Sequence, residues 1–328
     1  MIYRLEDDQI VEFNDQYVEY FYSYFIPTNC LIVHDFARLK NIELPAYILY
    51  VIIDCTNPVN VEQMLSREIY LSKPYYVLSG LYKYHKSIPE NSKIQFFPFW
   101  VLWASSPYAP AIADLTNTFS NVPKKYKVSC LNGTQWEHRK LTYLLLSERD
   151  YFNDMVFTFN QRPHHGILTE ELSLTIEETD KFQRLPPEVA FVNTDNVIGI
   201  DLSINHPAYQ EAYINLVTET TVNNLTPMLS EKTFKPIIAG QLFVLIASPG
   251  AIQFLRDIGI DTFDDIIDHS YDQIEDTKIR IQRAVEEVDR LVKLDLTKLY
   301  DQLRIRLIKN SVYYRSPEFR SQFKLNFD

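Results

Sequence analysis

The densest run of chemically capable side chains in the chain is Ser230-Glu231-Lys232-Thr233-Phe234-Lys235-Pro236-Ile237. Ser230 is a suitable helix N-cap, and Glu231 then falls where a carboxylate suits the helix dipole. A carboxylate at that point can grip vicinal ribose hydroxyls, while Lys232 or Lys235 neutralises a diphosphate. Both tasks suit a nucleotide and need no glycine loop. The same residues also describe an ordinary capped surface helix. Pro236 falls inside that helix, where it removes a hydrogen bond at a cost of about 3 kcal/mol unless the helix kinks. Upstream, across a polar loop, Val217-Thr218-Glu219-Thr220 ends an apolar run and offers a second carboxylate.

A second constellation is Cys130-Leu131-Asn132-Gly133-Thr134-Gln135-Trp136-Glu137-His138-Arg139. A buried strand stops at Asn132, and Gly133 permits a sharp turn. Thr134 and Glu137 then have the T-x-x-E spacing of a capping box, which predicts a helix over 135–148. Such a helix aims its N-terminus at the carboxyl edge of a sheet, where α/β proteins bind ligands and where a helix end favours an anion. His138 and Arg139 can add donors to a phosphate there. The alternative is a plain strand–helix unit with both side chains facing solvent.

These residues need a scaffold, and the composition says which kinds are excluded. Only 7 glycines occur among 328 residues, against a usual share of about 7%. No G-x-G-x-x-G and no G-x-x-x-x-G-K-S/T pattern occurs, which argues against a dinucleotide-binding dehydrogenase and a P-loop NTPase. Phosphate chemistry must therefore rely on side chains and helix ends. The 43 acidic against 32 basic residues give a net charge of −11, which disfavours duplex nucleic acid as a tightly held partner. The three cysteines, Cys30, Cys55 and Cys130, are scattered, as suits a reducing cytosol better than a disulfide framework. The acidic start is no signal peptide, and the longest apolar stretch, 44–55, is too short to span a bilayer. No membrane insertion is expected. His164-His165 reads as part of a solvated loop, with no other ligands at metal spacing.

Runs that are apolar at consecutive positions predict strands buried on both faces, the parallel sheet of an α/β domain. In the first part these are 30–33, 46–53, 75–79 and 93–103. The last carries Phe96, Phe97, Phe99, Trp100 and Trp103, which strand burial explains more simply than sugar stacking. Prolines and lysines over 105–125 read as a connection. The second part predicts strands over 126–131, 212–218 and 242–247, with short elements near 157–159 and 190–193. It also predicts a helix over 231–239 ended by Gly240, and a short helix opened by Ser248-Pro249-Gly250 and closed by Gly259. Over 272–309 the apolar spacing is helical, with a break near Asp295. The domains expected are 1–122, 123–305, and a helical tail over 306–328 that crosses back.

The segment 229–237 and the strand after it resemble the donor-binding signature of α-1,3-fucosyltransferase-like glycosyltransferases. They are closer still to bacteriophage and bacterial glycosyltransferases with a Ser-Glu-Lys-Thr-Phe-Lys-Pro-Ile core. Ser248-Pro249-Gly250, Phe254-Leu255, Gly259 and Thr262-Phe263-Asp264-Asp265 continue the likeness, and Cys130-Leu131-Asn132 with His138-Arg139 resembles the opening of the group's donor lobe. One departure is 133–136, where the group has a more basic loop containing proline. The resemblance implies a glycosyltransferase-B fold, two Rossmann-like lobes facing across a cleft. It implies that Glu231 and Lys232 contact the ribose and diphosphate of a nucleotide sugar, and it also marks Glu219 as a donor-site position. Asn132, His138, Arg139, Ser230, Thr233 and Lys235 complete the expected binding set.

What the resemblance implies about activity is transfer of a sugar to an acceptor hydroxyl in the cytoplasm of a bacterium or a phage-infected cell. The acceptor is a glycan or a hydroxymethylated DNA base, the second disfavoured by the scattered positive charges of the first 120 residues. No Asp-x-Asp occurs, so no metal cofactor is expected. A general base is expected at the end of a first-lobe strand. Asp35, with His34 as its partner or rival, follows Leu31-Ile32-Val33, and Asp54 follows Ile52-Ile53. Asp35 also suits the cap of a following helix. A nucleotide-sugar epimerase or hydrolase, and an inactive scaffold of the same fold, are the alternatives.

Overall fold

The computed structural model describes the strands at 2–6, 9–12, 30–33, 48–53, 75–79 and 94–96, and residues 123–133, 135–159, 172–184, 207–223 and 227–323. The chain divides into two compact units, Met1–Tyr108 with Arg320–Asp328, and Ala109–Phe319.

The first unit holds a six-stranded sheet in the order β2-β1-β3-β4-β5-β6. Its strands are β1 (Ile2–Glu6), β2 (Gln9–Glu12), β3 (Cys30–Val33), β4 (Ile48–Ile53), β5 (Tyr75–Ser79) and β6 (Ile94–Phe96). From β1 through β3, β4 and β5 to β6 every pairing is parallel. The apolar runs predicted as parallel strands thus pair as such over 30–33, 48–53, 75–79 and 94–96, and 97–103 lies outside the described residues. The edge was not legible: β2 pairs antiparallel with β1, Glu6 opposite Gln9. The polar residues interspersed in 2–12 mask that strand pair.

The second unit is built on a four-stranded, wholly parallel sheet in the order β10-β9-β7-β8. These strands are β7 (Tyr126–Asn132), β8 (Met155–Phe159), β9 (Ala212–Thr218) and β10 (Leu242–Ile246). Every residue of β9 and β10 is buried, as a sheet covered on both faces requires. Helices α1 (Glu137–Ser147), α2 (Ile176–Arg184) and α3 (Pro207–Gln210) precede β9. Helix α4 (Glu231–Ile238) leads into β10, and α5 (Ala251–Asp257) leaves it. Helices α6 (Thr277–Leu291), α7 (Leu296–Tyr314) and α8 (Pro317–Ser321) follow.

Helix α6 packs on α1 and β10, and α7 packs on α4. The expected break falls at Asp295, whose side chain caps α7 by accepting the Lys298 amide at 3.0 Å. Phe234 of α4 stacks on Tyr314 of α7, ring centroids 4.7 Å apart, and Ser311 Oγ donates to the Ile238 carbonyl. Helix α4 therefore has a fixed floor despite Pro236. Its end is a Schellman turn: Gly240, at φ 64°, donates to the Ile237 carbonyl and Gln241 to that of Pro236.

One local expectation is corrected. Helix α1 begins at Glu137 behind Trp136, so Glu137 stands at the helix's first position and not at the third, where a box headed by Thr134 would need it. Trp136 is buried and fixes the chain's entry, while Glu137 pairs with Lys140 at 2.6 Å. Thr134 itself lies outside the described residues. A capping box is made at the head of α2, where Thr175 Oγ1 accepts from the Glu178 amide and Glu178 Oε2 from the Thr175 amide.

Candidate functional site

In the order β10-β9-β7-β8 the chain leaves β7 toward β8 on one side and leaves β9 toward β10 on the other. The carboxyl ends of β7 and β9 therefore form a topological switch point, where parallel α/β sheets open a crevice for ligands. Asn132 and Thr218 end the two strands and are tied together by Thr218 Oγ1 donating to Asn132 Oδ1 at 2.5 Å. The Asn132 amide donates to Thr158 Oγ1 at 3.1 Å, and its Nδ2 to Cys130 Sγ at 3.3 Å. Asn132 thus ties the carboxyl ends of β7, β8 and β9 together. Burial pushes the Cys130 thiol up to about 12, too high for a nucleophile at neutral pH.

His138 and Arg139 turn inward from the first turn of α1 and are buried. His138 Nε2 donates to the Glu219 carbonyl at 2.9 Å, and Arg139 Nη2 reaches the carbonyls of Thr218 and Glu219. Neither faces solvent, and the contacts they make here hold the end of β9 to the head of α1. Their pairing spans two elements far apart in sequence, which local spacing does not reveal.

Glu219 is also fully buried. One carboxylate oxygen accepts the Ser230 amide at 2.9 Å and Thr233 Oγ1 at 2.5 Å; the other accepts Ser230 Oγ at 2.6 Å and the Thr220 amide at 3.2 Å. Ser230 is the N-cap of α4, as expected, and its hydroxyl accepts the Lys232 amide. The carboxylate at the end of β9 therefore fixes the first turn of α4 through Ser230 and Thr233.

Glu231 and Lys232 stand on that first turn, partly exposed, with Lys232 Nζ 2.8 Å from Glu231 Oε1. Lys232 Nζ also reaches Ser230 Oγ at 3.3 Å and Thr220 Oγ1 at 3.4 Å. Burial opposes the charge on Glu231, but the ammonium groups of Lys232 and Lys235 hold it below its ordinary range. Lys235 lies 5.9 Å from the Tyr209 ring. The result is a carboxylate and an ammonium side by side at the positive end of a helix, beside the switch point. Such a pair can take up vicinal hydroxyls and an anion together.

Sequence reasoning missed Arg280 on α6. Its guanidinium is buried and donates to the carbonyls of Ala247 at 3.0 Å and of Glu275 at 3.1 Å, and to those of Val222 and Ile274. It therefore ties the loop after β9 to the end of β10. The available signal was its position: Arg280 sits on the apolar stripe it shares with Ala284, Val288 and Leu291.

His34, Asp35, Asp54, His164 and His165 lie outside the described residues. Among the described residues no His, Cys, Asp and Glu side chains group to hold a metal ion, and no helix is long and apolar enough to cross a membrane. Compared with known proteins, the chain matches no family model, no curated sequence and no solved structure.

Proposed function

We propose that this chain is a glycosyltransferase that moves a sugar from a nucleoside-diphosphate donor to an acceptor hydroxyl without a metal. The observation that carries this reading is the Glu231–Lys232 pair on the first turn of α4, beside the switch point of a parallel sheet. Glu231 takes the ribose hydroxyls, and Lys232, with Lys235 behind it, takes the diphosphate. As the bond to the sugar breaks, negative charge develops on that diphosphate. An ammonium and a helix N-terminus already in position stabilise it without reorganisation. The buried set of Asn132, His138, Arg139, Glu219, Ser230 and Thr233 positions this pair and leaves contact with the donor to it.

In an inverting transfer the acceptor proton passes to a base on the first lobe, and Asp35 with His34 is the sequence's offer for that role. The acceptor is a glycan or a hydroxymethylated base of DNA, and the two Rossmann-like lobes would close a glycosyltransferase-B cleft around it. The test is a thermal-shift screen of the full chain with GDP, UDP, CDP and ADP and their sugars. One nucleoside diphosphate is expected to stabilise the wild type, and Glu231→Ala to abolish that shift while keeping the unliganded melting temperature. An unchanged shift in the variant contradicts the assigned ribose contact.

A further inference from the structure

Helix α7 is apolar on two sides, and only one of them is covered. Leu299, Leu303, Leu307 and Tyr314 are buried, and Tyr314 and Ser311 seat that side on α4. The outer side carries Ile305, 63% exposed, and Val312, 61% exposed, with the half-buried Ile308 between them. Their spacing of i, i+3 and i+7 puts the three in one stripe. Leu294, 41% exposed, stands in the turn that leads into the helix. Three of the five large apolar side chains that stand exposed among the described residues thus fall within 294–312.

Basic residues border the stripe. Arg304 precedes Ile308 by one turn on one side, Lys309 follows Ile305 by one turn on the other, and Lys298 stands two turns before Ile305. Other arginines of α6 and α7 are taken up in ion pairs: Arg283 with Glu286, Arg290 with Glu287, and Arg306 with Asp261 and Asp265. Among the described residues no carboxylate pairs with Lys298, Arg304 or Lys309. Asp301 is the one acidic residue of α7. A chain of net charge −11 therefore gathers positive charge around protruding apolar side chains on one helix face. At physiological salt a field fades within about 8 Å, so this local charge, and not the net charge, decides what approaches the face.

We propose that the outer face of α7 docks this protein on the surface of an anionic lipid membrane, the helix lying in the plane of the surface without crossing it. A stable protein contact buries about 800 Å² on each partner, and three side chains on a convex helix supply little of that. A lipid headgroup layer asks for neither that area nor a matching shape. The tips of Ile305, Ile308 and Val312 enter the boundary between headgroups and acyl chains, while Lys298, Arg304 and Lys309 reach the lipid phosphates. The long basic side chains can extend sideways to those phosphates while their stems stay against the apolar stripe. This inference does not depend on the reading of the α4 site.

The full chain is sedimented with vesicles of phosphatidylcholine alone and of phosphatidylcholine mixed with phosphatidylglycerol. Binding is expected to the anionic vesicles only, and to weaken about tenfold or more between about 0.1 M and about 0.5 M salt. Lys298→Gln with Lys309→Gln is expected to weaken it about twenty-five-fold, about fivefold for each charge near the surface. Ile305→Ser with Val312→Ser is expected to weaken it about tenfold. Both double variants change exposed positions and leave the melting temperature in place. No binding to anionic vesicles, equal binding to neutral ones, indifference to salt, or wild-type binding by either double variant overturns the proposal. So does a dimer in light scattering that Ile305→Ser with Val312→Ser turns into a monomer, because a second copy would then cover the face.

Discussion

The carboxylate of Glu219 accepts both the backbone amide of Ser230 at 2.9 Å and the Ser230 hydroxyl at 2.6 Å. The residue just past β9 therefore holds the N-cap of α4 by two hydrogen bonds, one to each carboxylate oxygen. Since Glu231 and Lys232 follow that cap directly, their place beside the switch point is inherited from the end of the strand. Electrostatics and geometry meet here: a buried charge is tolerated because its own chain supplies four donors.

Glu219→Gln is expected to destabilise the protein by about 3 kcal/mol, because an amide turns donors toward donors in a buried site. For a unit of this size that is a fall of about 9 °C in melting temperature. Glu231→Ala, on the partly exposed first turn, is expected to leave the melting temperature nearly unchanged. Thermal unfolding of the two variants beside the wild type is the check. Equal, small losses in both would show that Glu219 does not hold the helix head.

The sequence made the strands legible where burial on both faces leaves unbroken apolar runs, as in β9 and β10. Ser230, Gly240 and Asp295 were legible as helix ends because capping depends on nearby residues alone. Thr134 and Glu137 show the limit of that logic. Their spacing matches a capping box, but the helix starts behind the buried Trp136, which puts Glu137 at its first position, while a box forms at Thr175 and Glu178. The inward turn of His138, Arg139 and Glu219 was not legible for a related reason. Polar side chains at element ends read as exposed, and only the folded sheet brings their distant partners within reach.

His269 makes stability sensitive to mild acid. It is buried, its Nε2 donates to the Thr262 carbonyl at 2.7 Å, and its Nδ1 accepts from the Tyr271 hydroxyl at 3.3 Å. Burial holds its pKa below the ordinary 6.5, against the pull of Thr262 and Asp264. Below pH 6.5 the unfolded chain takes up a proton that the folded chain refuses, so stability falls as pH drops toward the folded value. The slope for this one group approaches about 1.4 kcal/mol per pH unit. His269→Gln, which keeps a donor toward Thr262, is expected to flatten the fall between pH 7.5 and 5.5. Parallel curves for wild type and variant, by urea unfolding at each pH, would remove His269 as the cause.

The ion pair at the head of α4 has opposite consequences for two ligands. While Lys232 Nζ sits 2.8 Å from Glu231 Oε1, that carboxylate competes with any phosphate for the ammonium. Glu231→Gln removes the competitor, so affinity for inorganic diphosphate is expected to rise about threefold, the ordinary worth of a partly exposed pair. The nucleoside diphosphate that stabilises the wild type should instead bind more weakly to this variant, because the amide no longer offers ribose a charged acceptor. Lys232→Met should weaken both ligands. Calorimetric titration of the three proteins separates these cases. A Glu231→Gln protein that loses affinity for both ligands would mean that the carboxylate holds Lys232 in position and does not compete for it. A variant that loses neither would take Glu231 out of the ribose contact altogether.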